Sequence, residues 1–416
     1  MSVSTSRLRL GLVACAGLLT LTACGGGSGF EDSGSGSGSG GGDGKLSILI
    51  GSSGDAETAA VKKAVADWSE QSGTDAEVTV ASDLNQQLSQ GFASNNPPDV
   101  FYMSTDQLGG YVDNGSLYAY GDDLPNADEF YPNLRQAFTV DDQFYCAPKD
   151  FSTLALWIND AKWKQAGLTD ADVPTTWDEL AAVSKKLTRG KQPGLSFSPE
   201  YQRVGAFFPQ AGGAMTNEDQ TEATVDTSQN DEALTYVQQL LDDGSAQYSS
   251  KLGAGWGGEA FGKGLSAMTI EGNWLIGAMQ NDYPDVDYTV AELPAGPAGK
   301  GTLAFTNCWG IADSSSEKSD AVSLVEKLTS AEDQAGFAKA FGVIPSVESA
   351  AQQYKSDSPE VAPFIDGADY AQNPPSTVGA ADVITDFNSQ LETLDSTDPK
   401  QILASVQQSL QATIGQ

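Results

Sequence analysis

The sequence predicts an α/β protein of two moderate-sized domains. At 416 residues the chain is longer than one ordinary core accommodates. Its first foldable stretch reads strand, glycine turn, helix, strand, the order that builds a parallel sheet covered by helices. Midway, a β-rich run from Phe144 to Ile158 feeds a short helix ending at Gly167, a Pro174 spacer and a second helix. There Thr176 and Glu179 have capping-box spacing, Trp177, Leu180, Val183 and Leu187 recur at helical spacing, and Gly190 stops the helix.

Composition narrows the function. The formal charge of -34 argues against nucleic acid and anionic lipid as partners. The absence of histidine removes histidine-dependent triads, histidine-ligated zinc and imidazole bases. There is no Gly-rich Lys-Ser/Thr loop for a nucleotide.

Taken in order, the chain begins with Arg7 and Arg9, an apolar run from Leu10 to Leu21 and then Leu21-Thr22-Ala23-Cys24. That run is too short to span a bilayer as a stable helix, and the small residues before Cys24 resemble a bacterial lipobox. Cys24 is then the lipidated first residue of the mature chain, with 1–23 a lipoprotein signal peptide; the alternative is a plain secretory signal. The glycine and serine of residues 25–44 bury too little to fold. As a coil they reach roughly 25 Å root-mean-square at about 5–6 Å × √n, a tether that holds a domain clear of a membrane.

Lys45 to Ile50 reads as a strand, Ala56 to Gln71 as a helix and Glu77 to Val80 as a second strand. The loop Gly51-Ser52-Ser53-Gly54-Asp55 follows the first strand, where open α/β sheets place ligands, so Ser53 and Asp55 are candidates; Asp55 suits a helix cap equally well. A helix over Asp83 to Phe92 precedes a strand ending near Met103. Asp106 then heads a Gly109-Gly110-Tyr111 turn, where it suits a helix N-cap.

Beyond residue 190, Ser196 to Gly213 mixes aromatic and polar residues, among them Tyr201 and Arg203, with Phe207 and Phe208 core. Ser228 to Asp243 is an amphipathic helix. Gly253 to Met279 is the richest candidate segment: Trp256 in a glycine-flanked turn, a buried strand from Ala267 to Ile270, then Glu271-Gly272-Asn273-Trp274 turning into a helix. Leu303 to Ala312 carries Cys308 and Trp309, Ser319 to Leu328 and Asp333 to Phe341 are helices, and Asp398-Pro399 opens a last amphipathic helix. Cys146 and Cys308, the mature cysteines besides Cys24, either pair or remain buried thiols.

Several of these motifs resemble, in order, the extracellular solute-binding proteins of carbohydrate ABC importers, the maltose-binding-protein-like group. They are the Phe144–Leu187 stretch with its Pro-Thr-Thr-Trp-Asp-Glu-Leu helix, Pro98-Asp99-Val100-Phe101 before Asp-x-x-Gly-Gly-Tyr, Ala267-Met268 before Gly272-x-Trp274, Trp309-Gly310, and Ile344-Pro345-Ser346. The resemblance runs from about Lys45 to Gln416 and implies a two-lobed periplasmic-binding-protein fold with a ligand cleft at hinge crossovers. It implies a first lobe of 45–150 plus about 305–345 and a second of 151–304 plus about 346–416.

By the same resemblance Asp106, Asp150 and Glu271 accept hydrogen bonds from sugar hydroxyls, Trp274, Trp256 and Trp309 supply aromatic faces for pyranose rings, and Tyr201 is the aromatic that the Ser196–Gly213 stretch contributes to the cleft. Cys146 and Cys308 fall on neighbouring crossover strands. The chain departs from the family at Cys146 and Lys149, where glycine and an apolar or aromatic residue are usual, and at Asn307 and Cys308, which replace two glycines.

The implied function is capture of a sugar, an α-glucoside or oligosaccharide such as maltose or trehalose, and delivery to an ABC permease. The protein is expected to be a non-enzymatic monomer without cofactor or metal, lipid-anchored on the outer face of the bacterial cytoplasmic membrane. Rival readings are a secreted glycoside hydrolase, whose two carboxylates flank one bond, and a peptide or metal receptor of the same fold.

Overall fold

The computed structural model describes residues 45–414, so the expected signal peptide, Cys24 and the whole tether lie outside the described residues. A ten-stranded sheet forms among those described. Lys45–Ile50 lies parallel to Asp75–Val80 on one side and to Val100–Ser104 on the other. The return strand Thr302–Ile311 runs antiparallel to Val100–Ser104. The 13-residue strand Ala147–Asn159 then serves both halves of the molecule. Its first half pairs with the return strand; Leu154 to Ile158 pair with Met268–Gly272. Leu195–Phe197 and Ala246–Tyr248 continue that second half in parallel. Apolar residues on both faces of Ala147–Asn159 suit this central position.

Each half carries its own core, giving the mixed α/β, two-lobed architecture expected. In the first, Val61, Val65 and Trp68 of the helix Asp55–Ser72 bury against Leu46, Ile48 and Phe101. That helix stops at Gly73, whose φ of 80° suits glycine and whose N–H donates to the Ser69 carbonyl. In the second, Trp177–Leu187 packs Trp177, Leu180 and Leu187 beside Phe207, Phe208 and the last helix, Pro399–Ile414. The Thr176 hydroxyl caps the Glu179 N–H at 3.3 Å, but Glu179 reaches one residue further back than a capping box requires. It accepts from the Thr175 N–H and hydroxyl at 2.8 and 2.7 Å.

The halves are joined by three chain crossings. Besides the outgoing and return strands, the segment after Gly342 folds onto Ala147–Asn159: the Phe151 N–H donates to the Ile344 carbonyl at 3.0 Å. Ser346 Oγ donates to the Pro148 carbonyl at 2.5 Å, and Gln334 Nε2 to that of Lys149 at 2.8 Å. A disulfide links Cys146 and Cys308 on the two neighbouring strands, with Cα atoms 5.6 Å apart. Among the described residues no helix is long and apolar enough to cross a membrane.

Candidate functional site

The site is built on an irregularity where the two crossover strands meet. Asn307 pairs with Asp150, but the next residue, Cys308, pairs with Pro148, leaving Lys149 as the extra residue of a β-bulge. Directly opposed residues share a face, as do residues two apart. Asp150 and Ser152 therefore lie with Asn307 and Phe305 on one face of the sheet. There Ser152 and Phe305 are half-buried and Asn307 is exposed, whereas Phe151 and Thr153 are buried on the other side.

The bulge brings Lys149 into a buried charge cluster. Lys149 Nζ donates to Glu57 Oε1 at 3.3 Å and ion-pairs with Asp150, and it lies 4.5 Å from the Tyr102 ring centre. Glu57, only 3% exposed, also accepts from the Ser53 N–H and hydroxyl, both at 2.7 Å, and from the Tyr102 hydroxyl at 3.0 Å. Burial pushes the Glu57 carboxyl up, but the Lys149 charge and the Ser53 and Tyr102 hydrogen bonds outweigh it and hold it below the usual carboxylate range. For Lys149, burial favours the neutral amine, yet Asp150 and Glu57 raise its pKa above the ordinary lysine value. Burial lifts Asp150 despite Lys149.

Across the floor, the sequence Glu271-Gly272-Asn273-Trp274 ends one strand and starts the helix Trp274–Asp282. Trp274 is 37% exposed, unusual for an indole. Its Nε1 donates to Glu271 Oε2 at 3.0 Å, and Arg203 Nε and Nη2 donate to the same oxygen at 3.1 and 2.8 Å. The Arg203 guanidinium lies 5.1 Å from the indole centre, and Phe305 meets the ring edge-on at 5.8 Å. Burial raises the Glu271 pKa against the opposing pull of Arg203 and Trp274. Gly272 and Gly258 make room for the two tryptophans: a Cβ at either would fall 2.2 Å from an atom of Trp274 or Trp256 respectively.

Of the expected residues, Trp274, Asp150 and half-buried Trp256 lie around this floor region or its flanking loops. Ser53 is exposed in the loop after the first strand and Asp55 is exposed as the first residue of the helix Asp55–Ser72, and Glu57, two residues into that helix, ties the loop to the bulge. Asp106 is exposed in the first turn of Thr105–Asp113 and accepts from the Ser104 hydroxyl, while the N-cap position falls to Ser104.

Three placements differ from expectation. Glu271 is 0% exposed, its Oε2 taken by Arg203 and Trp274, so it braces the indole rather than meeting solvent. Trp309 is 1% exposed, edge-on to Tyr102 at 4.6 Å and inside the first core. Tyr201 is buried between Phe208 and Phe387. Residues two apart on a helix do not share a face, and Arg203 takes the site-facing position instead. Glu57, Tyr102, Lys149 and Arg203 are the site residues the motifs did not single out. Each is a charged or hydroxylated side chain buried against a partner distant in sequence.

A cavity of 820 Å³ opens beside Leu108 and Gly109 on the helix that carries Asp106. The hairpin residues Thr139 to Asp142, the loop Ala214 to Thr221 and residues between Ala371 and Thr377 also line it, with Asn133, Gln136 and Ala137. Asn373 is in its wall and donates to the Asn133 carbonyl at 2.7 Å, whereas the Tyr370 hydroxyl donates to Glu292.

Residues 63–372 match the family model described as bacterial extracellular solute-binding protein. Over 294 residues the chain is 23% identical to the diacetylchitobiose binding protein DasA of Streptomyces coelicolor, covering 66% of each chain. Among solved structures it resembles the sugar-binding protein MalE of Xanthomonas citri, with a TM-score of 0.79 and 18% identity over 89% of this chain and 97% of that one. It also resembles a cyclic alpha-maltosyl-1,6-maltose binding protein of Arthrobacter globiformis, with a TM-score of 0.78 and 21% identity over 89% and 98%. At these identities the structural likeness establishes the fold.

Proposed function

The chain belongs to the bacterial extracellular solute-binding proteins, and from that premise we propose that it captures a neutral carbohydrate, an α-glucoside or oligosaccharide such as maltose or trehalose. It then hands the sugar to the membrane subunits of an ABC importer. Cys24 is the lipid attachment point, the tether lets the two-lobed body reach its permease, and the body acts as a monomer on the outer face of the membrane.

The observation that carries this reading is the exposed Trp274 indole, braced at its edge by Glu271 and Arg203 beside a floor bearing Asp150, Ser152 and Asn307. An aromatic face covers the C–H face of a pyranose while polar groups alongside take its hydroxyls. Trp256, Asp106, Ser53 and Asp55 flank that floor as further contacts, and Trp309, Tyr201 and Glu271 act by packing and bracing. Relatives named for sugar ligands support the same class. Glu271 fully buried and Asp150 ion-paired support binding rather than glycoside hydrolysis.

Thermal-shift and calorimetric titration of the purified protein with maltose, trehalose and maltotetraose, against peptides and divalent metals, tests the reading. A ligand at about 100 times its Kd stabilises by roughly 2.7 kcal/mol, and Trp274→Ala should abolish the sugar response. A response confined to peptide or metal would leave the fold standing and remove the carbohydrate.

A further inference from the structure

We propose that Lys149, the extra residue of the hinge bulge, is a ligand-contacting and specificity-determining residue, acting with Asp150 as a donor–acceptor pair for two adjacent hydroxyls of the sugar. The assignment rests on the carbohydrate reading above.

An ammonium group has three N–H donors. Lys149 spends two on Glu57 and Asp150, and its third has no protein acceptor among the described residues. Asp150 presents the complementary vacancy: Oδ2 is taken by Lys149, Oδ1 holds no protein hydrogen bond, and the side chain keeps 12% of its surface exposed. Beside the Tyr102 ring, one N–H without an oxygen acceptor and one carboxylate oxygen without a donor thus come from consecutive residues, each on an ionised group, where hydrogen bonds are strongest. Two vicinal hydroxyls present the matching set, an oxygen that accepts and an O–H that donates.

Position supports this. Phe305, which meets Trp274, is opposite Ser152; Asp150 is two residues along the same strand and face. That places Asp150 about 7 Å from Phe305 along the strand, with Lys149 the next residue beyond, within reach of a saccharide stacked on the indole. Lys149 is not a loose surface lysine: its side chain is 9% exposed and its ammonium is fixed by two carboxylates and the Tyr102 ring. The cluster also sets the ligand's charge class. Glu57, Asp150 and Lys149 sum to one negative charge, so sugar phosphates and uronates gain no net attraction, and a neutral polyol is favoured.

The test is a cycle between protein and sugar. The wild-type protein and Lys149→Met are titrated with maltose, trehalose and maltotetraose, then with the monodeoxy forms of whichever binds. Loss of a charge-assisted hydrogen bond predicts about ten- to a hundredfold weaker binding by Lys149→Met. One deoxy sugar should be weakened similarly with wild type and not further weakened with the variant, a non-additivity that a purely structural lysine does not produce. Should Lys149→Met fail to fold because two carboxylates lose their counterion, the double variant Glu57→Gln/Lys149→Met replaces it in the same cycle. Binding within twofold of wild type, or equal deoxy losses in both proteins, overturns the assignment while the carbohydrate reading stands. No response of the wild type to any sugar overturns both.

Discussion

Glu57 gathers hydrogen bonds from Ser53, Tyr102 and Lys149, so a single carboxylate connects the loop after the first strand, the third strand of the sheet and the hinge bulge. Its pKa lies below that of an unfolded glutamate, which fixes the sign of its pH dependence. The stabilisation is complete above the unfolded value of about 4.3 and fades as pH falls through the lower folded one. Glu57→Gln should therefore cost about 1.5–3 kcal/mol at pH 7, the range for hydrogen bonds to charged groups, and progressively less in acid. Denaturant titrations of both proteins at pH 7 and near pH 3 check this; a pH-independent difference would remove the ionised Glu57 from the account.

At the scale of elements, the strand-to-helix turn at Gly272 and the bulge at Lys149 perform the same task of aiming one side chain. A Cβ on residue 272 would fall 2.2 Å from the Trp274 ring. Because that indole is partly exposed it can swing away, whereas a core ring could not. Gly272→Ala is thus predicted to lower stability by about 1 kcal/mol or less, the low end of overpacking, while weakening sugar binding at least tenfold by moving the platform. Unfolding midpoints and titration measured on the same sample separate the two effects, and retained affinity would show that the indole's position is not set by this turn. The bulge differs in that it is registered against a partner strand, so one added residue decides which face Lys149 occupies.

For the whole molecule, the crossover strands are the common spine of both cores, and the disulfide closes a sequence separation of 162 across them. Most of the second core lies within that loop. In the chain-entropy model such a loop contributes about 5 kcal/mol, an upper figure. The double variant Cys146→Ser/Cys308→Ser should lose several kcal/mol in denaturant titration, and intact mass after alkylation should change only once the wild type is reduced. A stability loss under about 1 kcal/mol would mean that sheet pairing alone holds the spine.

The order of elements was legible in the sequence because it depends on local periodicity and punctuation. Thr176 before Trp177, Gly73 after Ser72 and Pro399 at the head of the last helix all mark boundaries that the structure keeps. The motif around Trp274 was legible for the same reason, its strand, turn and helix being contiguous. Which side chains face the site was decided only by tertiary structure. Lys149 meets Glu57 across 92 residues and Arg203 meets Glu271 across 68. Trp309 and Tyr201, aromatic residues next to strong motifs, were drawn into cores by Tyr102 and by Phe208 and Phe387. The physical reason is that facing depends on register and on a partner's charge, and a one-residue bulge changes the first while distant chain supplies the second.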